Sequence, residues 1–202
     1  FGAEATVTGL PQGWFEQKPE VWLETLTGCL GELLSDHDVG PRVGAISVTS
    51  TSGTLVAVDA DGQALAPAIM YNDSRSAEQA EEVQAAGEAL ASALGYRFKP
   101  SFALPKILWL KRHRPEVYEK AAYLISPTDF VIGRLCGRFD VSDWTNMLKS
   151  GYDLLNEQWP DFLGELGIDA QKLPRVVASG SVVDRVMPAV SRPRIRRATR
   201  PG

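Results

Sequence analysis

The 202-residue sequence predicts one α/β domain with more helix than strand, spanning residues 1–183. Two short apolar runs, Ala45 to Val48 and Leu55 to Val58, flank a polar break and read as strands. Segments with helical apolar spacing fill much of the remaining length. No internal repeat or low-complexity linker divides residues 14–183.

The elements follow in order. Pro19 to Leu34 reads as an amphipathic helix, with Trp22, Leu26, Cys29 or Leu30, and Leu33 on one stripe. Pro19 suits the first turn, while Gly28 and Gly31 weaken the helix. Val39 to Arg42 is a loop. Between the two strands, Thr49, Ser50, Thr51, Ser52, Gly53 and Thr54 offer five hydroxyls and one residue without a side chain. Each hydroxyl donates one hydrogen bond and accepts up to two, and glycine lets a ligand approach the backbone. Asp59-Ala60-Asp61-Gly62 reads as a hairpin turn, and Ala68 to Tyr71 as a third extended run.

Ser74 or Ser76 caps a helix reaching about Leu94, with Ala80, Val83, Leu90 and Leu94 inward and Gly87 as an interruption. Phe102 to Arg112 is helical, and Pro115 opens another short helix. Ala122 to Ile125 is a short apolar run. Ser126 then serves as N-cap, Pro127 takes the first helical position, and Asp129 sits at the positive end of the dipole. Gly137 closes that helix as a left-handed residue. From there to Leu173 the chain reads as short helices separated by Gly and Pro.

Composition narrows the function. A net charge of −4 argues against a general nucleic-acid binder, which needs a basic footprint. No apolar run approaches the roughly 20 residues that span a bilayer, and no signal peptide is visible. Cys29 and Cys136 have no CxxC spacing and sit in apolar stretches, so two buried, reduced thiols in a cytoplasmic protein are expected. No residue set has metal-ligand spacing, and GxxxxGK[ST], GxGxxG and GxSxG motifs are absent. His37 and His113 lie among charged residues and read as solvated surface. Ser191 to Gly202 holds five arginines and no acids, so residues 184–202 read as a basic, disordered tail. Residue 1 is Phe rather than Met, from which a fragment or a trimmed chain is expected.

Several stretches, in order, resemble the N-terminal domain of the FGGY family of sugar kinases. Trp14-Phe15-Glu16-Gln17-Lys18-Pro19-Glu20 followed by Trp22 resembles a "W-x-E-Q-x-P-E-x-W" opening. Met70-Tyr71-Asn72-Asp73-Ser74-Arg75 resembles an "apolar-Trp/Tyr-x-Asp-x-Arg" ending. Lys106 to Leu110, Pro115-Glu116-Val117-Tyr118 and Ser126-Pro127-Thr128-Asp129-Phe130 resemble the segment leading to a "P-x-D-(Y/F)" helix. Arg134-Leu135-Cys136-Gly137 stands where the family has Arg-Leu-Thr-Gly, and Leu173-Pro174-Arg175-Val176-Val177 with Gly180 resembles its exit. The resemblance covers roughly residues 14–183. Within it, Thr51-Ser52-Gly53-Thr54 and Ser142 to Tyr152 are similar to the ribulose-type pentulose kinases, whereas xylulose kinases carry Gly-Gln-Met-His-Gly at the polar break and glycerol kinases Asn-Gln-Arg-Glu.

The resemblance implies an actin-like, ribonuclease-H-like ATPase domain lacking its first strand or strands. It also implies an ATP-dependent kinase of a ketopentose, ribulose-type first and xylulose next, with ATP and Mg as cofactors of the intact relative. Ser52 matches the position that contacts the sugar, with Gly53 and Thr51 beside it. Asn72, Asp73 and Asn146 are further candidates, each with an ordinary packing, bracing or capping role as the competing reading. Trp144 is a weaker one, and Ser101 stands where some members carry a sugar-contacting Tyr. The family's "Asp-x-Gly-Thr" opening, its catalytic Asp and its C-terminal ATP domain have no counterpart in this sequence, so no catalytic residue is assigned. The expected partners are a small-molecule sugar and that C-terminal domain, with no nucleic acid and no membrane. The rival readings are a non-catalytic sugar-binding or interaction module and a degraded gene product. Loss of an inner strand leaves unpaired edges, so the isolated chain is expected to be marginally stable. Differential scanning calorimetry with light scattering checks this: a sharp monomeric melt above about 55 °C, in the usual range of stable domains, contradicts it.

Overall fold

The computed structural model describes residues 3–187; of the tail expected at 184–202, residues 188–202 lie outside the described residues. Strand β1 (Glu16–Gln17) leads into α1 (Pro19–Ser35), followed by β2 (Val56–Val58) and β3 (Ala68–Ile69). Next come α2 (Ala77–Ala86), α3 (Glu88–Leu94), α4 (Ala103–His113), α5 (Pro115–Lys120), β4 (Tyr123–Ile125) and α6 (Pro127–Cys136). The order closes with β5 (Val141–Asp143), α7 (Trp144–Met147), α8 (Phe162–Glu165) and β6 (Arg175–Val177). Among the described residues the strands pair in three two-stranded pieces: β1 with β3 and β2 with β4 antiparallel, β5 with β6 parallel.

The β2–β4 ribbon divides the core. Successive strand residues point to opposite faces. Leu55, Ala57 and Leu124 therefore join a cluster built on α2 to α5, with Phe98, Leu104, Ile107, Leu108 and Leu163 at its centre. Val56, Val58 and Ile125 face the other way, against Trp22, Phe130 and Val131. Both faces are covered, which is why Leu55 to Val58 reads as an unbroken apolar run rather than an alternating one.

Local signals explain the ends. Ser126 accepts from the Asp129 N–H at 3.2 Å while Asp129 accepts from the Ser126 N–H at 2.9 Å, closing a capping box on α6. Gly137 ends α6 at φ 81°. The Asp59 turn closes as expected, with Gly62 N–H donating to Asp59 O at 3.0 Å and Asp59 Oδ1 accepting from Asp61 and Gln63. The Phe139 ring presses on Gly62 and Gly133 so closely that a Cβ at either would collide with it.

Four expectations are corrected. Ala45 to Val48 forms no strand: residues 43–50 have no regular structure and no ladder partner, so an apolar run alone was insufficient. The run instead borders a groove of about 730 Å³ shared with Leu30 and Leu34 of α1, Val141 to Asp143 of β5, and residues 180–186. Strands β5 and β6 replace the all-helical reading of that region, because three-residue strands leave too little pattern to detect. The stripe of α1 passes through Trp22, Leu23, Leu26 and Leu30, leaving Leu33 47% exposed. Cys29 is exposed and Cys136 half-buried, against the expectation of two buried thiols. The described chain also stays packed past residue 183, where Met187 N–H donates to Leu135 O at 2.8 Å.

One buried ion network ties the first segment to the body. The Arg75 side chain, 2% exposed, donates to Asp73 Oδ1 and Oδ2 at 2.9 and 2.8 Å and to Glu16 Oε1 at 2.7 Å. Its guanidinium lies 3.9 Å from the Trp14 ring centroid and 5.0 Å from that of Trp109. Removing one member of a buried pair leaves an uncompensated charge, at a cost of about 3–5 kcal/mol. Arg75→Met should therefore lower unfolding free energy in urea by about that amount. Arg97→Ala, which breaks an exposed pair with Glu81, should cost under about 1 kcal/mol.

Candidate sugar-binding site

The polar break between the two apolar runs forms a turn at Ser52 and Gly53. Gly53 adopts φ 88°, a left-handed conformation that disfavours other residues, and the Ser101 carbonyl oxygen packs where a Cβ would stand. Thr54 is 1% exposed and anchors the turn: its Oγ1 accepts from Tyr71 N–H at 3.1 Å and lies 3.4 Å from Thr51 Oγ1. Ser50 Oγ sits 2.7 Å from Thr128 Oγ1, which ties the run to the start of α6. Two hydroxyls are thus spent on structure. Ser52 is half-buried, and among the described residues its hydroxyl has no hydrogen-bond partner.

The other candidates separate. Asp73 is 1% exposed, and its oxygens accept from Arg75 and from Phe15 N–H at 2.6 Å, so it braces the turn rather than facing a ligand. Asn146 is 8% exposed and donates to Asp143 Oδ1 at 3.1 Å, a capping role at α7. Asn72 is exposed, beside the 44%-exposed Tyr71. Thr51 is exposed next to Ser52, and Trp144 is 36% exposed. None of the six candidates lines the 730 Å³ groove. His113 is exposed, as expected, and its ring also stacks on Trp109 with ring centroids 4.9 Å apart.

Two lysines complete the surroundings, and sequence reasoning passed over both. Lys106 is fully buried in α4, donating to Pro100 O at 2.5 Å and Phe102 O at 3.1 Å, and so holds the loop that presses Ser101 on Gly53. Burial pushes its pKa down to about 7; Asp73 opposes this, while Lys149 and Arg75 add to it. Lys149 is half-buried, with its side chain against Gly53 and its ammonium 5.7 Å from the Phe102 ring centroid. A lysine inside the otherwise apolar Lys106 to Leu110 segment was the one available signal.

With the fold and turn placed, the comparisons identify the class. The architecture is the actin-like ATPase fold of sugar kinases: it superposes on a xylulose kinase from Rhodospirillum rubrum with TM-score 0.83 at 25% identity, covering 93% of this chain and 39% of that one. A gluconate kinase from Lactobacillus acidophilus superposes with TM-score 0.80 at 22% identity, covering 92% and 38%. Residues 3–193 match the N-terminal domain of the FGGY family of carbohydrate kinases, and the chain belongs to that family. It is 32% identical over 184 residues to a xylulose kinase of Bacillus subtilis, covering 89% of this chain and 36% of that protein.

Burial also shifts Asp129. Desolvation pushes its carboxyl up to about 6, partly offset by donors from Ser142 and Ser126. Between the ordinary 3.8 and about 6 the folded chain binds more protons, so stability falls as pH rises. Between about 7 and the ordinary 10.5 the unfolded chain holds the Lys106 proton more tightly, so stability rises with pH. Urea unfolding across this range should show a minimum at about pH 6–7. Asp129→Asn should flatten its acid side and Lys106→Met its alkaline side.

Proposed function

We propose that this chain is the sugar-binding part of an ATP-dependent ketopentose kinase, with a ribulose-type substrate preferred and xylulose next. The observation that carries the reading is the unpartnered, half-buried Ser52 hydroxyl on a glycine turn rigidly backed by Thr54, Ser101 and Lys106. A donor-acceptor hydroxyl held on a stiff support suits a polyol, whose own hydroxyls need both. Ser52, Gly53 and Thr51 are the proposed contacts, with exposed Asn72 as a further candidate.

The ribulose preference rests on the Thr51-Ser52-Gly53-Thr54 turn, since the similar curated proteins are named xylulose kinases. Among the described residues no group of three His, Cys, Asp or Glu is placed to hold a metal ion. In this reading the chain orients the sugar, and a partner domain supplies nucleotide and base. Orientation is itself a large share of phosphoryl-transfer catalysis.

The test is an ATP-coupled assay of the full-length protein encoded at the source locus, with D-ribulose, D-xylulose, glycerol and D-gluconate. D-Ribulose should give the highest kcat/KM. Ser52→Ala should lower it by roughly 3- to 10-fold, the usual worth of one neutral hydrogen bond. Absence of turnover with every ketopentose and polyol overturns the reading.

A further inference from the structure

The Ser52 turn is rich in hydrogen-bond donors. Among the described residues, the backbone N–H groups of Ser52 and Gly53 have no acceptor. Gly53 at φ 88° supplies the left-handed residue that the turn requires. Lys149 lies against this glycine, and among the described residues its ammonium makes no hydrogen bond or ion pair. Its contact with the Phe102 ring face fixes the stem beside the turn while leaving the donors free.

The other charges near the turn are already engaged. Arg75 is balanced by Asp73 and Glu16, and Lys106 donates to the carbonyls of Pro100 and Phe102. Among these groups Lys149 keeps its donors for a ligand. A hydroxyl bound here must also place its own proton. An oxygen that only accepts meets no such cost.

We propose that Lys149 and the free N–H groups of Ser52 and Gly53 form a site for an acceptor-only oxygen of the sugar, a ketone carbonyl or a carboxylate. The site thereby selects oxidised sugars, ketoses and aldonates, over the corresponding alditols. Lys149 is then a specificity-determining residue. This rests on the sugar-binding reading above and names the chemical feature that the turn recognises.

The experiment measures binding to the chain by ¹H–¹⁵N NMR titration with D-ribulose, D-ribonate and ribitol, for the wild type, Lys149→Met and Lys149→Arg. Wild type should bind D-ribulose or D-ribonate at least tenfold more tightly than ribitol, with the Ser52 and Gly53 amides shifting most. Lys149→Met should weaken D-ribonate by roughly 10- to 100-fold, the range for a charge-assisted hydrogen bond. It should weaken D-ribulose several-fold and leave ribitol unchanged, whereas Lys149→Arg should keep the preference. Loss on D-ribonate alone assigns the oxygen to a carboxylate, and loss on D-ribulose alone assigns it to a ketone. Thermal melts of the variants should match wild type, since the ammonium carries no structural bond. Equal affinity for all three sugars, or a preference that survives Lys149→Met, overturns the proposal while leaving sugar binding intact. Absence of binding by any sugar overturns both.

Discussion

The guanidinium of Arg75 is the constraint on which the rest of this molecule depends. It is buried against Trp14 and Trp109, and its charge is balanced by Asp73 and Glu16. Through it, the segment leading into α1, the turn after β3 and the middle of α4 become one unit. The Tyr71 N–H that anchors Thr54 lies two residues from Asp73, so the geometry of the Ser52 turn is inherited from this network. A buried ion cluster is weak evidence for stability, but it fixes orientation because few arrangements satisfy every donor.

Much of the architecture was legible because the informative signals were chemical. Ser126-Pro127-Thr128-Asp129 encodes a capping box, and Asp59 to Gly62 encodes a turn whose acceptor is the Asp59 side chain; both form as written. The failures share a cause. Ala45 to Val48 has the composition of a strand, yet a strand exists only with a partner ladder, a non-local fact. Likewise β5 and β6 are three residues each, held by neighbours rather than by pattern. The extent of burial along α1 is also non-local, so Cys29 and Leu33 could not be placed from the helical wheel.

The site was legible in a different way. The hydroxyl-rich break was visible as a composition, but which hydroxyls were free was not. Thr54 and Ser50 carry structure, and Ser52 remains available. Asp73, the more tempting side chain by chemistry, is spent inside the fold. Lys149 lies nearly a hundred positions away from Gly53 in sequence, so nothing local could join them. Membership in the carbohydrate kinases supports the proposal that a sugar is held, and the donors around the turn support the proposed kind of oxygen.

The packing of Arg75 against the touching rings of Trp14 and Trp109 also makes the molecule its own optical gauge. The two indoles lie edge to face, 5.4 Å apart. Their emission and their coupled near-ultraviolet dichroism depend on the cation packed against them. Loosening of the first segment would therefore register spectroscopically before the main core opens, without any label.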